Sequence, residues 1–198
     1  MTPSALARTE QEIAMDYARM RAIADELSAL PDAGKVEISD GTIVMMMSPS
    51  GTHELVAMRL RRQLDRQLPD DLVAHTGGDV EDPELGILRR PDLVVLPEPA
   101  MDTPGPFRPR DLELAAEVVS PSNHANDYAQ KARDYPALGI PLYLLIDPRT
   151  GTVTVMSDPG PGSDGQRCYR GRHEYAFGEK VPVGEWTVDT SEFPRYHS

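Results

Sequence analysis

Apolar residues recur at helical spacing between residues 10 and 30, at Ile13, Met15, Tyr17, Met20, Ile23, Ala24, Leu27 and Leu30, and Pro31 closes the pattern. That spacing predicts an amphipathic helix. Residues 35–47 then alternate around Asp40-Gly41, with VEIS before and TIVMMM after, which predicts a β-hairpin with a two-residue turn. Ser48-Pro49-Ser50-Gly51 offers turn and cap residues ahead of a second helical pattern over 53–68, marked by Leu55, Val56, Met58, Leu60 and Leu64 and stopped by Pro69. Strand-like runs follow at 72–75, 87–96 and 112–119, the last two separated by the surface loop PEPAMDTPGPFRPRD. Ser120-Pro121-Ser122-Asn123 is an N-cap context for a helix reaching about residue 138. The apolar run 141–146 ends in Asp147-Pro148, and a further strand is expected at 153–156. The predicted order is α, β-hairpin, α, β, β, β, α, β, β. Beyond Ser157, DPGPGSDG reads as a linker or long turn, and 169–188 as one or two short strands capping the domain.

A length of 198 residues suits one domain with a real core. With 39% hydrophobic and 26% charged residues and a mean hydropathy of −0.43, the chain reads as soluble and globular. Its longest apolar run, 140–146 with Pro141 inside, is far short of the roughly 20 residues a membrane span needs. MTPSALARTEQE lacks the features of a secretory signal, so a cytoplasmic address is expected. The lone Cys168 excludes an internal disulfide and the paired thiolates of a structural zinc site. A net charge of −12 argues against tight nonspecific binding to nucleic acid, although a local basic patch would matter more than the sum.

The chain carries no phosphate-binding glycine loop, dinucleotide fingerprint, HExxH or GxSxG, and its five histidines show no ligand spacing. What stands out is two acids in apolar strands. Asp92 opens the run in RRPDLVVL, and Glu117 lies near the end of the next in LELAAEVVSPS. Burying an ionised carboxylate costs several kcal/mol unless a cation or hydrogen bonds compensate. Two such acids on neighbouring strands could share a divalent ion, which takes hard oxygen ligands. The alternative is that Asp92 ends a turn and Glu117 pairs with Arg89, Arg90 or Arg133. Lys131 is noticeable because only Lys35, Lys131 and Lys180 exist in a chain rich in arginine. On the following helix Asp127, Lys131 and Tyr135 are spaced to share a face, which suits either an exposed Asp127–Lys131 pair or a catalytic lysine. Tyr135 reads as packing, and Met45 to Met47 as core or interface.

VEISDGTIVMMMSPSGTHE, RRPDLVVL, EVVSPSNHANDYAQKARDY and GIPLYLLIDP, in this order, resemble the restriction-endonuclease-like family of the PD-(D/E)XK nuclease superfamily, a bacterial family often known only as a domain of unknown function. The resemblance runs over about residues 27–156. It implies an α/β fold with a mixed central sheet flanked by helices, one domain over 1–198 whose C-terminal β extension is 157–198. It also implies a metal-dependent endonuclease hydrolysing DNA, with Asp92, Glu117 and the Val118 backbone carbonyl holding Mg²⁺ or Mn²⁺. The superfamily's lysine stands two residues after the glutamate, where this chain has Val119, so Lys131 is expected to reach back as its replacement. His53 and Glu37 match the family as accessory positions; by themselves His53 reads as a cap and Glu37 as a solvent-facing strand residue. Arg59, Arg62 and Arg66, with Arg61 beside them, and Arg89 and Arg90 could form a basic rim that contacts nucleic acid, or a solvated helix face. A homodimer suits cutting both strands of a duplex. The competing functions are a catalytically silent nuclease fold serving as an interaction module, and the same metal chemistry on RNA or another phosphate ester.

Overall fold

The computed structural model describes residues 10–31, 34–46, 50–121 and 126–196. β1 (Lys35–Ser39) and β2 (Thr42–Met46) form the expected hairpin, with Ile38 opposite Ile43. Its turn holds positive φ at both Asp40 (51°) and Gly41 (67°), as the tight hairpin turn demands. Met47 lies outside the described residues. α1 (Glu10–Ser28) covers this hairpin with Tyr17 and Ala24 buried against Val36, Ile38 and Leu88, whereas Met15 and Ile23 of the predicted stripe face outward.

The run expected as one strand over 87–96 is two. β5 (Ile87–Arg89) joins β4 (Val80–Asp82), a strand the pattern did not suggest, in a four-stranded sheet of order β2-β1-β5-β4. β6 (Leu93–Pro97) belongs to a second sheet. Pro91 between them has no N–H and cannot extend a ladder, so the chain leaves one sheet and enters the other at Arg90-Pro91-Asp92.

The second sheet has six strands, in the order β10-β9-β8-β7-β6-β3, built from β3 (Leu72–Thr76), β6, β7 (Leu114–Val118), β8 (Leu142–Asp147), β9 (Thr152–Pro161) and β10 (Arg167–Ala176). All its pairs are antiparallel except β7 with β8. Parallel neighbours need a crossover, and here it is helical. The expected helix to residue 138 is a π-helical turn (Asn126–Lys131) running into the short α3 (Ala132–Ala137), and Ser122 and Asn123 of its predicted cap lie outside the described residues.

Alternation along the strands sorts two cores. Leu93, Val95, Leu114, Ala116, Val118, Leu144 and Ile146 pack against α2 (Gly51–Leu64) and the hairpin of β11 (Lys180–Val183) and β12 (Trp186–Asp189). Val94, Leu96, Ala115, Val119, Tyr143 and Leu145 pack against Tyr135, Leu138 and Ile140 on the opposite face. β9 continues through Pro161, so the expected long turn shrinks to residues 162–166. Among the described residues no helix is long and apolar enough to cross a membrane. The mixed α/β fold read from the sequence holds.

Candidate active site

Asp92 and Glu117 share strand parity with Val94 and Ala115, so both project to the α3 side of the large sheet, where the small sheet abuts it. Continuing the β6–β7 register by one residue would set Asp92 opposite Glu117. The ladder ends there instead: the Asp92 N–H donates to the Ala116 carbonyl, and Asp92 Oδ2 accepts the Val118 N–H at 2.8 Å. The aspartate thus caps β7. His53 Nε2 stands 3.1 Å from the same Oδ2, and Lys35 Nζ donates to Oδ1. Lys35 also donates to the Arg90 carbonyl at 3.2 Å.

Burial disfavours the ionised form of Asp92. The Lys35 ammonium, the His53 hydrogen bond and charge, and Lys131 more than offset that, and hold the carboxyl well below the usual carboxylate range. Burial likewise lowers Lys35, but Asp92 and then Glu117 outweigh it and raise the ammonium above its ordinary value. The reciprocal influence places both acids and both lysines in one electrostatic cluster.

Glu117 is gripped from the crossover. Lys131 Nζ lies 2.8 Å from Glu117 Oε1 and 3.4 Å from Glu37 Oε1, and the buried Tyr135 hydroxyl donates to Glu117 Oε1. Burial, Glu117 and Glu37 together push the Tyr135 hydroxyl far up, so it remains a donor. Glu37 in turn accepts from Arg89 Nη1 at 2.6 Å and from the Arg90 N–H at 3.0 Å. Arg89 continues to Asp134 Oδ2, with Nε at 3.0 Å, and Ser39 Oγ donates to the same oxygen at 2.6 Å. Lys35, Glu37 and Ser39 are alternate residues of β1, so one strand face meets the whole row of charges.

The structure brings Asp92, Glu117, Lys131, Glu37 and His53 together. Glu37 is not the solvent-facing residue its strand position suggested: its side chain is fully buried, because β1 is covered on both faces. Nor is Lys131 an exposed helix residue, and its pairing with Asp127 falls on a side chain outside the described ones. Arg89 requires the opposite correction. Expected on a nucleic-acid-facing rim, it is fully buried between Glu37 and Asp134 and has no surface to offer a phosphate. Arg90 is part-exposed and pairs with Asp79 at 2.8 Å. Arg59 donates to the Glu192 carbonyl, while Arg62 and Arg66 are exposed. At 1.5 Å per residue, Arg62 lies roughly 14 Å along α2 from His53, and Arg66 falls beyond the helix end at Leu64, so these two stand away from the acids. Glu117 pairs with Lys131 and Tyr135. Lys35 and Asp134 are participants that the sequence did not assign to the site, and Tyr135, read there as packing, also donates a hydrogen bond to Glu117. A cavity of about 770 Å³ bordered by Ser39, Arg133 and Asp134 lies behind this network, and neither Asp92 nor Glu117 lines it.

The residues fit a hard divalent cation in a particular way. Among the described residues no group of three His, Cys, Asp or Glu converges as a metal cluster. Two carboxylates with remaining positions for carbonyl, water and phosphate oxygens are a donor set suited to Mg²⁺. Asp92 Oδ1 already attracts an ammonium, so the site favours positive charge at that oxygen.

The chain belongs to the Uma2 family, described as "Putative restriction endonuclease", whose model matches residues 24–183. It is also similar to the crystal structure of "a putative nuclease belonging to DUF820" from Anabaena variabilis ATCC 29413, with a TM-score of 0.61 and 17% identity over 86% of this chain and 96% of that one. At that identity the likeness speaks for the fold alone. A search of curated proteins gives no match.

Proposed function

We propose that this protein is a Mg²⁺- or Mn²⁺-dependent endonuclease that hydrolyses phosphodiester bonds of DNA, acting as a homodimer on duplex substrates. The observation that carries the reading is the pairing of two buried carboxylates, Asp92 and Glu117, on one sheet face with an ammonium on each. Asp92, Glu117 and the Val118 carbonyl would hold the ion, which supplies polarisation of the phosphoryl group and an activated water. The chain's own residues set the geometry. The Val118 N–H and His53 orient Asp92, while Lys131 and Tyr135 orient Glu117. Lys131 supports the reading further, since its ammonium meets the glutamate although Val119, at the usual lysine position, is buried in the core. Fixed charges in a water-poor site stabilise developing charge more strongly than the same groups in water. His53 Nδ1 is buried without a hydrogen-bond partner among the described residues, which leaves one ring nitrogen for a group that arrives with substrate.

The test is nicking of supercoiled plasmid at low salt with Mg²⁺ or Mn²⁺, comparing wild type with Asp92→Asn and Glu117→Gln after confirming that each is folded. Nicking that EDTA and both substitutions abolish is the expected result. Metal-dependent cleavage of RNA only would move the substrate. No cleavage of either polymer would favour the silent interaction module, a reading that the saturation of both acids by lysines also fits.

A further inference from the structure

The two oxygens of Asp92 are held differently. Oδ2 is fixed by a main-chain N–H and by His53, both on buried elements. Oδ1 meets Lys35, whose side chain is 21% exposed against 2% for Lys131. Lys131 is anchored between two buried acids, and moving it would strip both. Lys35 has a flexible four-carbon stem at the start of β1 and reaches Asp92 from the solvent side. An ammonium and a divalent cation at the same carboxylate oxygen repel each other strongly at such short range, so an ion entering at Oδ1 favours displacement of Lys35, the more exposed of the two lysines.

The charges make the exchange productive. Asp92, Glu117, Glu37 and Asp134 face Lys35, Lys131, Arg89 and Arg133, so the charges balance without an ion. A divalent ion tips that balance to positive, which favours release of the most exposed ammonium, and the displaced Lys35 then adds positive charge at the mouth of a site on a protein of net charge −12. We propose that Lys35 exchanges with the divalent ion at Asp92 Oδ1 and, once displaced, binds a phosphate oxygen of the nucleic acid. The phosphate contact rests on the nuclease reading, whereas the exchange rests on Asp92 alone.

The experiment measures Mn²⁺ binding calorimetrically on EDTA-stripped full-length protein, and affinity for a short DNA duplex in Ca²⁺ by fluorescence anisotropy. Lys35→Gln is expected to bind Mn²⁺ about tenfold tighter, because a unit positive charge beside the ion is gone. The same variant should bind DNA about fivefold more weakly through loss of one phosphate contact. Opposite signs separate this role from a structural one, in which damage would weaken both. Lys35→Arg keeps the charge and should stay near wild type, and Lys180→Gln, on β11 away from the acids, should change neither. Lys35→Met, which keeps the stem and drops the charge, replaces the glutamine variant if that melts early. Mn²⁺ binding that is absent, unchanged or weaker in Lys35→Gln overturns the exchange. Tighter Mn²⁺ binding with no loss of DNA affinity overturns the phosphate role. Tighter Mn²⁺ binding with no DNA binding by any protein overturns the phosphate role and the nuclease reading together, and leaves the exchange standing.

Discussion

Lys131 decides how a loss of activity at this site should be read. Its ammonium neutralises Glu117 and Glu37, both buried. Removing one partner of a buried pair leaves an uncompensated charge and costs about 3–5 kcal/mol. At about 2–4 °C per kcal/mol for a chain of this size, Lys131→Met should lower the melting temperature by about 10 °C. A calorimetric or circular-dichroism melt checks this, and an unchanged melting temperature would show that the lysine contributes only to chemistry. The acids and Lys131 were legible in the sequence for the same reason that makes them costly: ionised groups stand in apolar strands, and one lysine stands out in a chain that prefers arginine. Lys35 was equally rare and lies two residues from Glu37, a spacing that shares a strand face, yet a lysine opening a strand looks like any solvated end. Only the crossing of β1 over the start of β6 reveals its partner. Arg89 misled for the converse reason, since an arginine next to Pro91 and Asp92 resembles a phosphate contact until the burial of all three residues of β5 shows it facing inward.

At the scale of elements, β1 joins the two halves of the molecule through Glu37. Burial opposes ionisation of Glu37, but Lys131, Arg89 and the Arg90 N–H outweigh it and hold its carboxyl below the ordinary glutamate value. A lowered folded-state pKa means that the contribution to stability is complete above the unfolded value of about 4.3 and fades as pH falls through the folded one. Glu37→Gln should therefore be less stable than wild type by a constant amount between about pH 7 and pH 5, and the gap should close below about pH 4. Urea midpoints across that range measure it, and a gap that persists unchanged at pH 3 would mean the charge on Glu37 is not what stabilises the strand. The fold around this strand was readable where periodicity is local. The hairpin turn, α2 and the paired strands after α3 follow from spacing and from Asp40-Gly41. The division of 87–96 into β5 and β6 was not readable, because an apolar run shows burial without saying in which sheet, and Pro91 marks an interruption only once two sheets are known. Glu37 was misplaced by the same ambiguity: alternation separates two faces but does not reveal that α1 covers one and the charged row of the large sheet the other.

For the whole molecule, the net charge of −12 sets how a polyanion is bound. A protein that grips DNA with a broad basic face loses affinity by about 0.9 log units per log unit of salt for each phosphate neutralised. Here Arg89 is internal, Arg90 is paired with Asp79, Arg61 with Asp65, and Arg59 donates to the C-terminal segment, so much of the candidate basic rim is already engaged. Long-range repulsion acts in the opposite direction. Its reach shrinks from roughly 30 Å at 0.01 M salt to roughly 10 Å at 0.1 M, so added salt relieves repulsion while it weakens the few direct contacts. The two effects partly cancel. The slope of log affinity against log NaCl, measured by anisotropy in Ca²⁺, should therefore be no steeper than about −3, or at most about a 60-fold loss between 50 and 200 mM. A slope of about −6 or steeper would require at least six neutralised phosphates, more than Lys35 and Arg90 beside the acids can supply. It would bring the exposed Arg62 and Arg66 into the contact and mean that DNA runs along α2 as well as across the acids.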